Sequence, residues 1–260
     1  MPERSTGTRT IALVGPGGAG KTSLAEALLF AAGAVDRQGS VDAGTSVGDS
    51  SPEARSRGGS TELNLMHFDF LGDRFALVDS PGSVGFAADG ALAVTAADLA
   101  IVVVDPEPDR AILAEPTLRQ LETLGIPHFI FVNKIDQARG SIQNLLEALQ
   151  PMSASPLVAR QIPIREGEKI TGFVDLALER AFHYVPGKPS EQIDLPGDVA
   201  EREKQARFHM LEQLADHDDT LLEQLLMDEV PDRATIFADL TRETKENLVV
   251  PVLFGSALNG

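Results

Sequence analysis

The sequence predicts an α/β protein, a three-layer sandwich in which helices cover both faces of a mostly parallel central sheet, with an α+β insertion subdomain. Short apolar runs, typical of buried parallel strands, alternate with stretches of helical periodicity. A glycine-rich loop follows the first run, and a segment of different pattern interrupts the alternation before the last run. We therefore predict a first domain over 1–156, an inserted subdomain over 157–245, and the last strand and loop of the first domain over 246–260.

The composition excludes several classes of protein. A chain of 260 residues can bury a substantial core, and the absence of cysteine excludes disulfides and thiolate metal sites. The polar N-terminus does not resemble a signal peptide, and no apolar run approaches the length of a membrane span. We expect a cytoplasmic monomer that does not associate with membranes.

The chain is strongly acidic, with a net charge of −17 from 22 basic and 39 acidic residues. Such a surface repels phosphates, so we expect no direct binding to nucleic acid. The charge is explained equally well by ordinary solubility and by a surface that meets a basic protein partner.

Residues 15–22 read Gly-Pro-Gly-Gly-Ala-Gly-Lys-Thr and match the phosphate-loop pattern G-x-x-x-x-G-K-[ST]. An apolar run precedes the loop and leucines at helical spacing follow it, which is the strand, loop and helix order of P-loop NTPase folds. The glycines allow successive N–H groups to point at a polyphosphate. We expect Lys21 to reach the outer phosphates and Thr22 to coordinate Mg²⁺. The expected nucleotide contacts here are Gly15, Pro16, Gly17, Gly18, Ala19, Gly20, Lys21, Thr22 and Ser23.

The segment 33–60 is rich in Gly, Ser, Asp and Ala and shows little apolar periodicity. Long loops of this kind are usually functional or disordered, and we expect disorder when the nucleotide is absent or is GDP. Alternation over 63–68 and an apolar run over 75–78 then predict a hairpin at one edge of the sheet.

The second hairpin strand ends in Asp79-Ser80-Pro81-Gly82, a D-x-x-G sequence. At a strand end near a phosphate loop, such an aspartate can hold Mg²⁺ through water, and the glycine N–H can meet a γ-phosphate. We expect Asp79 to contact both metal and nucleotide, and Lys21 and Gly82 to serve catalysis.

An N-K-x-D sequence, Asn133-Lys134-Ile135-Asp136, follows the next part of the predicted sheet. The sequence before it predicts a buried strand over 99–104, a helix over 114–124 and a strand over 127–132. The carboxylate of Asp136 can accept two hydrogen bonds from guanine, a pair that adenine does not offer. Lys134 can lie across the base, and Asn133 can brace the loop.

The last strand, over 248–254, leads to Ser256-Ala257-Leu258, an S-A-x loop that in this position supplies a backbone N–H to the guanine carbonyl oxygen. The expected base contacts are Asn133, Lys134, Asp136, Ser256, Ala257 and Leu258.

The insertion has its own pattern. Residues 157–164 and 170–176 predict two strands, and a proline-containing loop separates them from helices. Leucines over 211–226 form an amphipathic helical face, and 236–240 predict a further short helix.

The order and spacing of these motifs resemble the translational GTPases, specifically the nucleotide-binding domain of elongation factor G. Residues outside the shared motifs carry the resemblance: Gln161-Ile162-Pro163-Ile164 with 172–176 resembles the family's insert, 216–226 its helical part, and 250–257 the ending P-V-x-x-G-S-A. The resemblance covers nearly the whole chain and stops where the family's second domain would begin, which suggests a truncated form or a natural fragment. It implies GTP or GDP and Mg²⁺ as cofactors. It also implies the ribosome as partner, through the full-length protein and the acidic insert.

Three positions depart from the family pattern. Ser83 follows the D-x-x-G sequence where the family has a histidine that positions the attacking water, and Gly18 stands where the family commonly has aspartate. Arg57-Gly58-Gly59-Ser60 replaces R-G-I-T, which leaves Ser60 or Thr61 as the Mg²⁺ ligand. Because serine does not share protons as imidazole does, we expect nucleotide binding to be retained and hydrolysis to be slow.

Three functions are consistent with these residues. The first is a ribosome-stimulated GTPase of translocation or recycling. The second is a nucleotide-gated ribosome-binding or ribosome-protection module without efficient hydrolysis, which Ser83 favours. The third is an unrelated phosphate-loop ATPase or kinase, against which Asp136 argues.

Overall fold

The computed structural model describes residues 7–49, 51–185 and 188–259. The first six residues of the predicted first domain, Ser50 of the predicted loop, 186–187 of the insertion and Gly260 therefore lie outside the described residues.

A seven-stranded sheet forms the centre of the fold, in the order β2-β3-β1-β4-β5-β11-β6. The β2–β3 pair at one edge is antiparallel, and the five other pairs are parallel. The mostly parallel sheet and the edge hairpin are thus confirmed. The strands are β1 (Arg9–Val14), β2 (Asn64–Phe70), β3 (Asp73–Asp79), β4 (Leu99–Val104), β5 (His128–Val132), β6 (Leu157–Ala159) and β11 (Val250–Phe254).

Helices cover both faces of this sheet. Because successive side chains on a strand point to opposite faces, Leu13 packs with α1 (Lys21–Ala31), while Ala12 and Val14 pack on the other side. That other side is covered by α3 (Ala87–Thr95), α4 (Glu115–Leu124) and α5 (Ile142–Leu149). This arrangement is the predicted three-layer sandwich.

The insertion contains a second, antiparallel sheet in the order β10-β9-β8-β7. Its strands are β7 (Gln161–Glu166), β8 (Lys169–Asp175), β9 (Arg180–His183) and β10 (Glu191–Ile193). Three helices follow: α6 (Ala200–Ala215), α7 (Asp219–Leu226) and α8 (Arg233–Lys245). Their apolar side chains form one cluster that includes Leu214, Leu221 and Ile236.

Several local predictions need correction. The single strand predicted over 157–164 is two strands, because β6 pairs with β11 in the large sheet and β7 begins the small one. The start of the predicted insertion therefore joins the large sheet, and the domain division itself stays a prediction. The helical face over 211–226 belongs to two helices, since Asp218 caps a new one by accepting hydrogen bonds from Thr220 N and Leu221 N, each over 2.9 Å.

The glycine-rich segment 33–60 is not structureless in its described part. It contains α2 (Pro52–Arg57), in which the Ser51 side chain caps the first turn and Gly58 ends the helix with φ of 63°. Among the described residues, none of the helices has the length and apolar character needed to cross a membrane.

Candidate nucleotide-binding site

The phosphate loop connects β1 to α1, and its shape depends on three glycines with positive φ. Gly15, Gly18 and Gly20 have φ of 124°, 78° and 91°, a region that other residues rarely adopt. At Gly20 a side chain would also collide with the Asn133 amide. The loop therefore reverses the chain so that α1 begins at Lys21 with its N-terminus toward the loop.

Lys21 lies inside this loop. Its ammonium donates hydrogen bonds of 2.9 Å to the carbonyl oxygens of Gly15 and Pro16. Burial lowers the pKa of Lys21, and the nearby carboxylates of Asp79, Asp49 and Asp105 oppose that shift. The structure thus places a buried cation where the sequence predicts the outer phosphates.

Thr22 and Asp79 form a polar cluster with two residues of the segment 33–60. The Thr22 hydroxyl donates to Asp79 Oδ2 over 2.7 Å and lies 3.1 Å from Ser60 Oγ. Ser60 in turn donates to Asp49 Oδ2 over 3.0 Å. The cluster therefore brings together the three predicted Mg²⁺ ligands, Thr22, Ser60 and Asp79, and adds Asp49, which the sequence analysis missed.

Asp79 is the group in this cluster whose bonding is incomplete. Its Oδ1 atom is buried and finds no hydrogen-bond partner within the described part of the chain. Burial raises the pKa of Asp79 to about 7, although the Thr22 hydrogen bond and the Lys21 charge lower it. A buried carboxylate oxygen without a donor, next to two hydroxyl oxygens, fits a hard cation such as Mg²⁺.

Gly82 lies directly against the phosphate loop. Ser80 fixes the preceding turn, since its backbone N–H and its hydroxyl both donate to the Leu13 carbonyl, over 3.1 and 2.8 Å. A Cβ at Gly82 would lie 2.6 Å from the Gly17 nitrogen, so a larger residue does not fit. Ser83, the next residue, is exposed.

Asn133 joins the phosphate loop to the last loop of the chain. Its Nδ2 donates to the Ala19 carbonyl, and its Oδ1 accepts from the Ala257 N–H, both over 2.9 Å. The neighbouring Ile135 N–H also donates to the Gly255 carbonyl over 3.1 Å. The three motif loops therefore meet at the carboxyl ends of β1, β5 and β11, where ligands bind in open α/β sheets.

The remaining base-site residues surround this junction. Lys134 adopts a left-handed backbone with φ of 57° and donates to the Gly18 carbonyl and, over 2.9 Å, to Asp105 Oδ1. Asp136 is exposed in a single 3₁₀ turn, Ile135–Gln137. Ser256 and Ala257 are buried and Leu258 is exposed, while Ser23 is half-buried in α1.

Three further polar residues at the site, besides Asp49, were missed by the sequence analysis. Gln38 donates to the Ala257 carbonyl over 2.6 Å, and Arg110 forms an ion pair of 2.7 Å with Asp105. Asp105 follows a buried strand as Asp79 does, so its position offered a signal. Gln38 and Arg110 belong to no motif, and their contacts depend on the tertiary fold.

Comparison with known proteins gives consistent results. The sequence profile of the elongation factor Tu GTP-binding domain matches residues 6–260. The chain is 41% identical over 249 residues to an elongation factor G-like protein of Synechocystis sp., covering 96% of this chain and 37% of the relative. It is 30% identical over 251 residues to elongation factor G of Thermotoga maritima, covering 96% and 36%.

A crystal structure of a protein from Thermus thermophilus superposes with a TM-score of 0.88 at 32% identity. This match covers 96% of the present chain and 37% of the other. The chain thus spans little more than a third of the length of these similar proteins.

Proposed function

The chain belongs to the family of elongation factor Tu GTP-binding domains and is similar to elongation factor G and its relatives along 96% of its length; on that premise we propose its finer function. We propose that it is the GTP- and GDP-binding domain of a ribosome-associated translational GTPase that acts in translocation or ribosome recycling. The observation that carries this proposal is the Asn133 amide, which ties the phosphate loop to the loop of Ala257.

The nucleotide is proposed to lie across this junction. Its phosphates would lie in the loop 15–22, and its base between Lys134 and the loop of Ser256, Ala257 and Leu258. Asp136 is exposed at this place, so its carboxylate is available to accept the two guanine N–H groups. The same residues disfavour adenine, which argues against an ATPase or kinase.

Mg²⁺ is proposed to bind at the Thr22 cluster. Thr22, Ser60 and Asp79 would hold the ion, with Asp79 acting through water, because their oxygens converge and Asp79 Oδ1 lacks a donor among the described residues. When bound, the ion supplies positive charge against the β- and γ-phosphates.

Hydrolysis is proposed to be slow without the ribosome. Lys21 would neutralise charge on the outer phosphates, and the Gly82 N–H would contact the γ-phosphate. Ser83 stands at the position after this glycine, and a serine hydroxyl is a poor substitute for an imidazole that orients water.

Ser83 also supports a second candidate function. In this alternative the domain is a nucleotide-gated ribosome-binding or ribosome-protection module, in which GTP serves as a ligand. In either case we propose a cytoplasmic monomer that reaches the ribosome through the rest of the protein and through the acidic insertion, without binding nucleic acid directly.

The proposal is tested by phosphate release from Mg²⁺-GTP with and without ribosomes, using a protein that carries this chain. Strong stimulation by ribosomes supports the GTPase, and tight GTP binding without release supports the alternative. Competition of GTP, GDP and ATP for the site is the first control. Preference for ATP would contradict both candidate functions.

A further inference from the structure

Arg110 borders the phosphate loop without belonging to any motif. It lies in the 3₁₀ helix Pro108–Ala114 that follows β4. One guanidinium nitrogen, Nη1, forms an ion pair of 2.7 Å with Asp105 Oδ2, and the other, Nη2, donates a hydrogen bond of 3.4 Å to the Gly17 carbonyl oxygen. Arg110 therefore holds a positive charge at the edge of the loop that Lys21 fills from inside and that Lys134 also contacts.

Asp105 does not depend on Arg110 for its neutralisation. The carboxylate is buried and its other oxygen, Oδ1, accepts a 2.9 Å hydrogen bond from Lys134. The Arg110 contact lacks hydrogen-bond geometry, since Oδ2 is among the buried atoms without a hydrogen-bond partner in the described chain. Departure of Arg110 would thus leave Asp105 paired with Lys134.

Arg110 is also the most exposed of the three charged residues at this edge of the loop. Its side chain is 45% exposed, against 5% for Asp105 and 32% for Lys134. Because the Arg110 guanidinium lies partly in water, water can replace the contacts that it would give up, although Asp105 itself is buried. The long arginine side chain can therefore turn about its stem toward the mouth of the phosphate loop.

The charges around the loop favour such a movement when a triphosphate binds. Two carboxylates, those of Asp49 and Asp79, already lie within hydrogen-bond distance of the Thr22 hydroxyl, at 3.3 and 2.7 Å. Lys21 and Lys134 are each held by carbonyl oxygens of the loop. Bound GTP adds further negative charge, and the uncharged side chain of Ser83 provides no positive charge to offset it.

We propose that the guanidinium of Arg110 moves from Asp105 onto the outer phosphates of bound GTP and acts there as a catalytic cation supplied by the chain itself. The inference rests on the proposed function. In the step concerned, water attacks the γ-phosphorus, the bond to the β–γ bridging oxygen breaks, and its electron pair leaves with GDP. One proton of the water stays on the new P–OH group of the phosphate and the other passes to solvent, while Arg110 remains protonated and stabilises the charge on the transferring group.

The test compares Arg110→Ala and Arg110→Lys with Arg119→Ala, all in the 260-residue chain. Arg119 is a matched control because it is an exposed arginine that pairs with Glu115 along α4. Three quantities are measured: the affinity for a fluorescent GDP, the binding of GDP with aluminium fluoride as a mimic of the transferring phosphate, and single-turnover GTP hydrolysis.

In the Arg110→Ala variant we expect GDP affinity to stay within about threefold and hydrolysis to fall about 100-fold or more, with loss of the aluminium fluoride complex. Arg110→Lys is expected to recover part of the rate, since it restores charge without the planar fork.

Other results overturn the inference. Equal losses in GDP, aluminium fluoride and GTP binding would show that Arg110 only shapes the loop. Unchanged hydrolysis in Arg110→Ala would exclude Arg110 as a catalytic cation. The same conclusion would follow if the unaltered chain bound GTP but neither hydrolysed it nor formed the aluminium fluoride complex. Both outcomes would leave the proposal of nucleotide binding intact. Failure of the unaltered chain to bind guanine nucleotides would instead overturn the proposed function itself.

Discussion

The hydroxyl of Thr22 donates a 2.7 Å hydrogen bond to Asp79, although 57 residues separate them along the chain. The sheet explains this proximity. In the parallel pairing of β1 with β3, Leu13 lies opposite Asp79, so the end of β3 comes level with the start of the phosphate loop. The register of one strand pair thus places the D-x-x-G sequence beside the loop that it is expected to serve.

Replacing Thr22 by Ala should weaken nucleotide binding in the presence of Mg²⁺. The variant lacks a proposed ligand to the ion, and the contact of a hydroxyl with a charged group contributes about 1.5–3 kcal/mol, which is roughly tenfold or more in affinity. Fluorescent GDP titrations with Mg²⁺ and with EDTA measure the effect. EDTA should weaken binding to the unaltered chain and barely affect the variant. Thr95→Ala, which alters an exposed helical threonine, is the control. A Thr22→Ala chain with full Mg²⁺ dependence would refute the assignment.

Replacing Asn133 by Ala should separate the phosphate loop from the guanine loop. The change removes two buried hydrogen bonds of 2.9 Å and leaves the Ala257 N–H without its acceptor. We expect a loss of GDP affinity of about tenfold or more, since an unsatisfied buried group costs about 1–3 kcal/mol. Calorimetric titration measures it, with Asn144→Ala on the exposed side of α5 as control. Equal affinities for both variants would contradict a bridging role.

Replacing Asp136 by Asn should change the base that the site accepts. The NH₂ group of asparagine is a hydrogen-bond donor and would face the amino group of guanine, which is also a donor. Xanthine carries a carbonyl in place of that amino group, and this carbonyl can accept the hydrogen bond from asparagine. We expect GTP affinity to fall by about 100-fold or more, and the affinity for xanthosine triphosphate to rise above that for GTP. Competition against fluorescent GDP checks the order. A variant that still prefers GTP would place the base elsewhere.

Much of this arrangement could be predicted from the sequence, because its motifs sit at strand ends. The loops of Lys21, Asp79 and Asn133 each follow an apolar run, and parallel strands bring their carboxyl ends to one edge of a sheet. Buried runs also made the large sheet predictable. The roles of the motif residues in nucleotide binding remain predictions.

The features that the sequence analysis missed either lack an apolar pattern or lie in a glycine-rich segment that is typical of loops. The short strands β9 and β10 present few apolar residues, and their pairing depends on β8. In α2, Ser51, Pro52 and Gly58 did provide start and stop signals, but the glycine-rich surroundings concealed them. The Asp105–Arg110 pair depends on where a 3₁₀ turn folds back, which local sequence does not determine.

Replacing Ser83 by His should separate the two candidate functions. An imidazole at this exposed position could orient the attacking water, an effect worth about 10²–10⁴-fold in rate. We expect ribosome-stimulated phosphate release to rise in Ser83→His and to remain unchanged in the control Ser83→Ala. If ribosomes already stimulate phosphate release strongly in the unaltered protein and Ser83→His does not raise the rate further, another group orients the attacking water. That result would favour the GTPase over the non-hydrolysing module.

Glu243 should make the stability of the insertion depend on pH. Arg242 Nη2 contacts Asp218 Oδ2, Asp239 Oδ1 and Glu243 Oε1 over 3.2, 3.0 and 3.0 Å, so three carboxylates share one cation. Glu243 is fully buried, and burial raises its pKa to about 7, with Arg242 opposing the shift and the two aspartates adding to it. The folded chain therefore retains this proton up to about pH 7, whereas the unfolded chain loses it near the ordinary pKa of 4.5.

This proton stabilises the fold fully below pH 4.5, and its contribution is lost as pH rises through about 7. Glu243→Gln mimics the protonated form at every pH, so at pH 8 the variant should be more stable than the unaltered chain by on the order of 1 kcal/mol. The advantage should shrink as pH falls toward 5. Urea unfolding followed by circular dichroism at pH 5, 6, 7 and 8 measures the difference, with Glu246→Gln at an exposed site as the matched control. A Glu243→Gln advantage that is absent at pH 8, or that does not change with pH, would show that Glu243 is charged in the folded chain and that Arg242 alone compensates its burial.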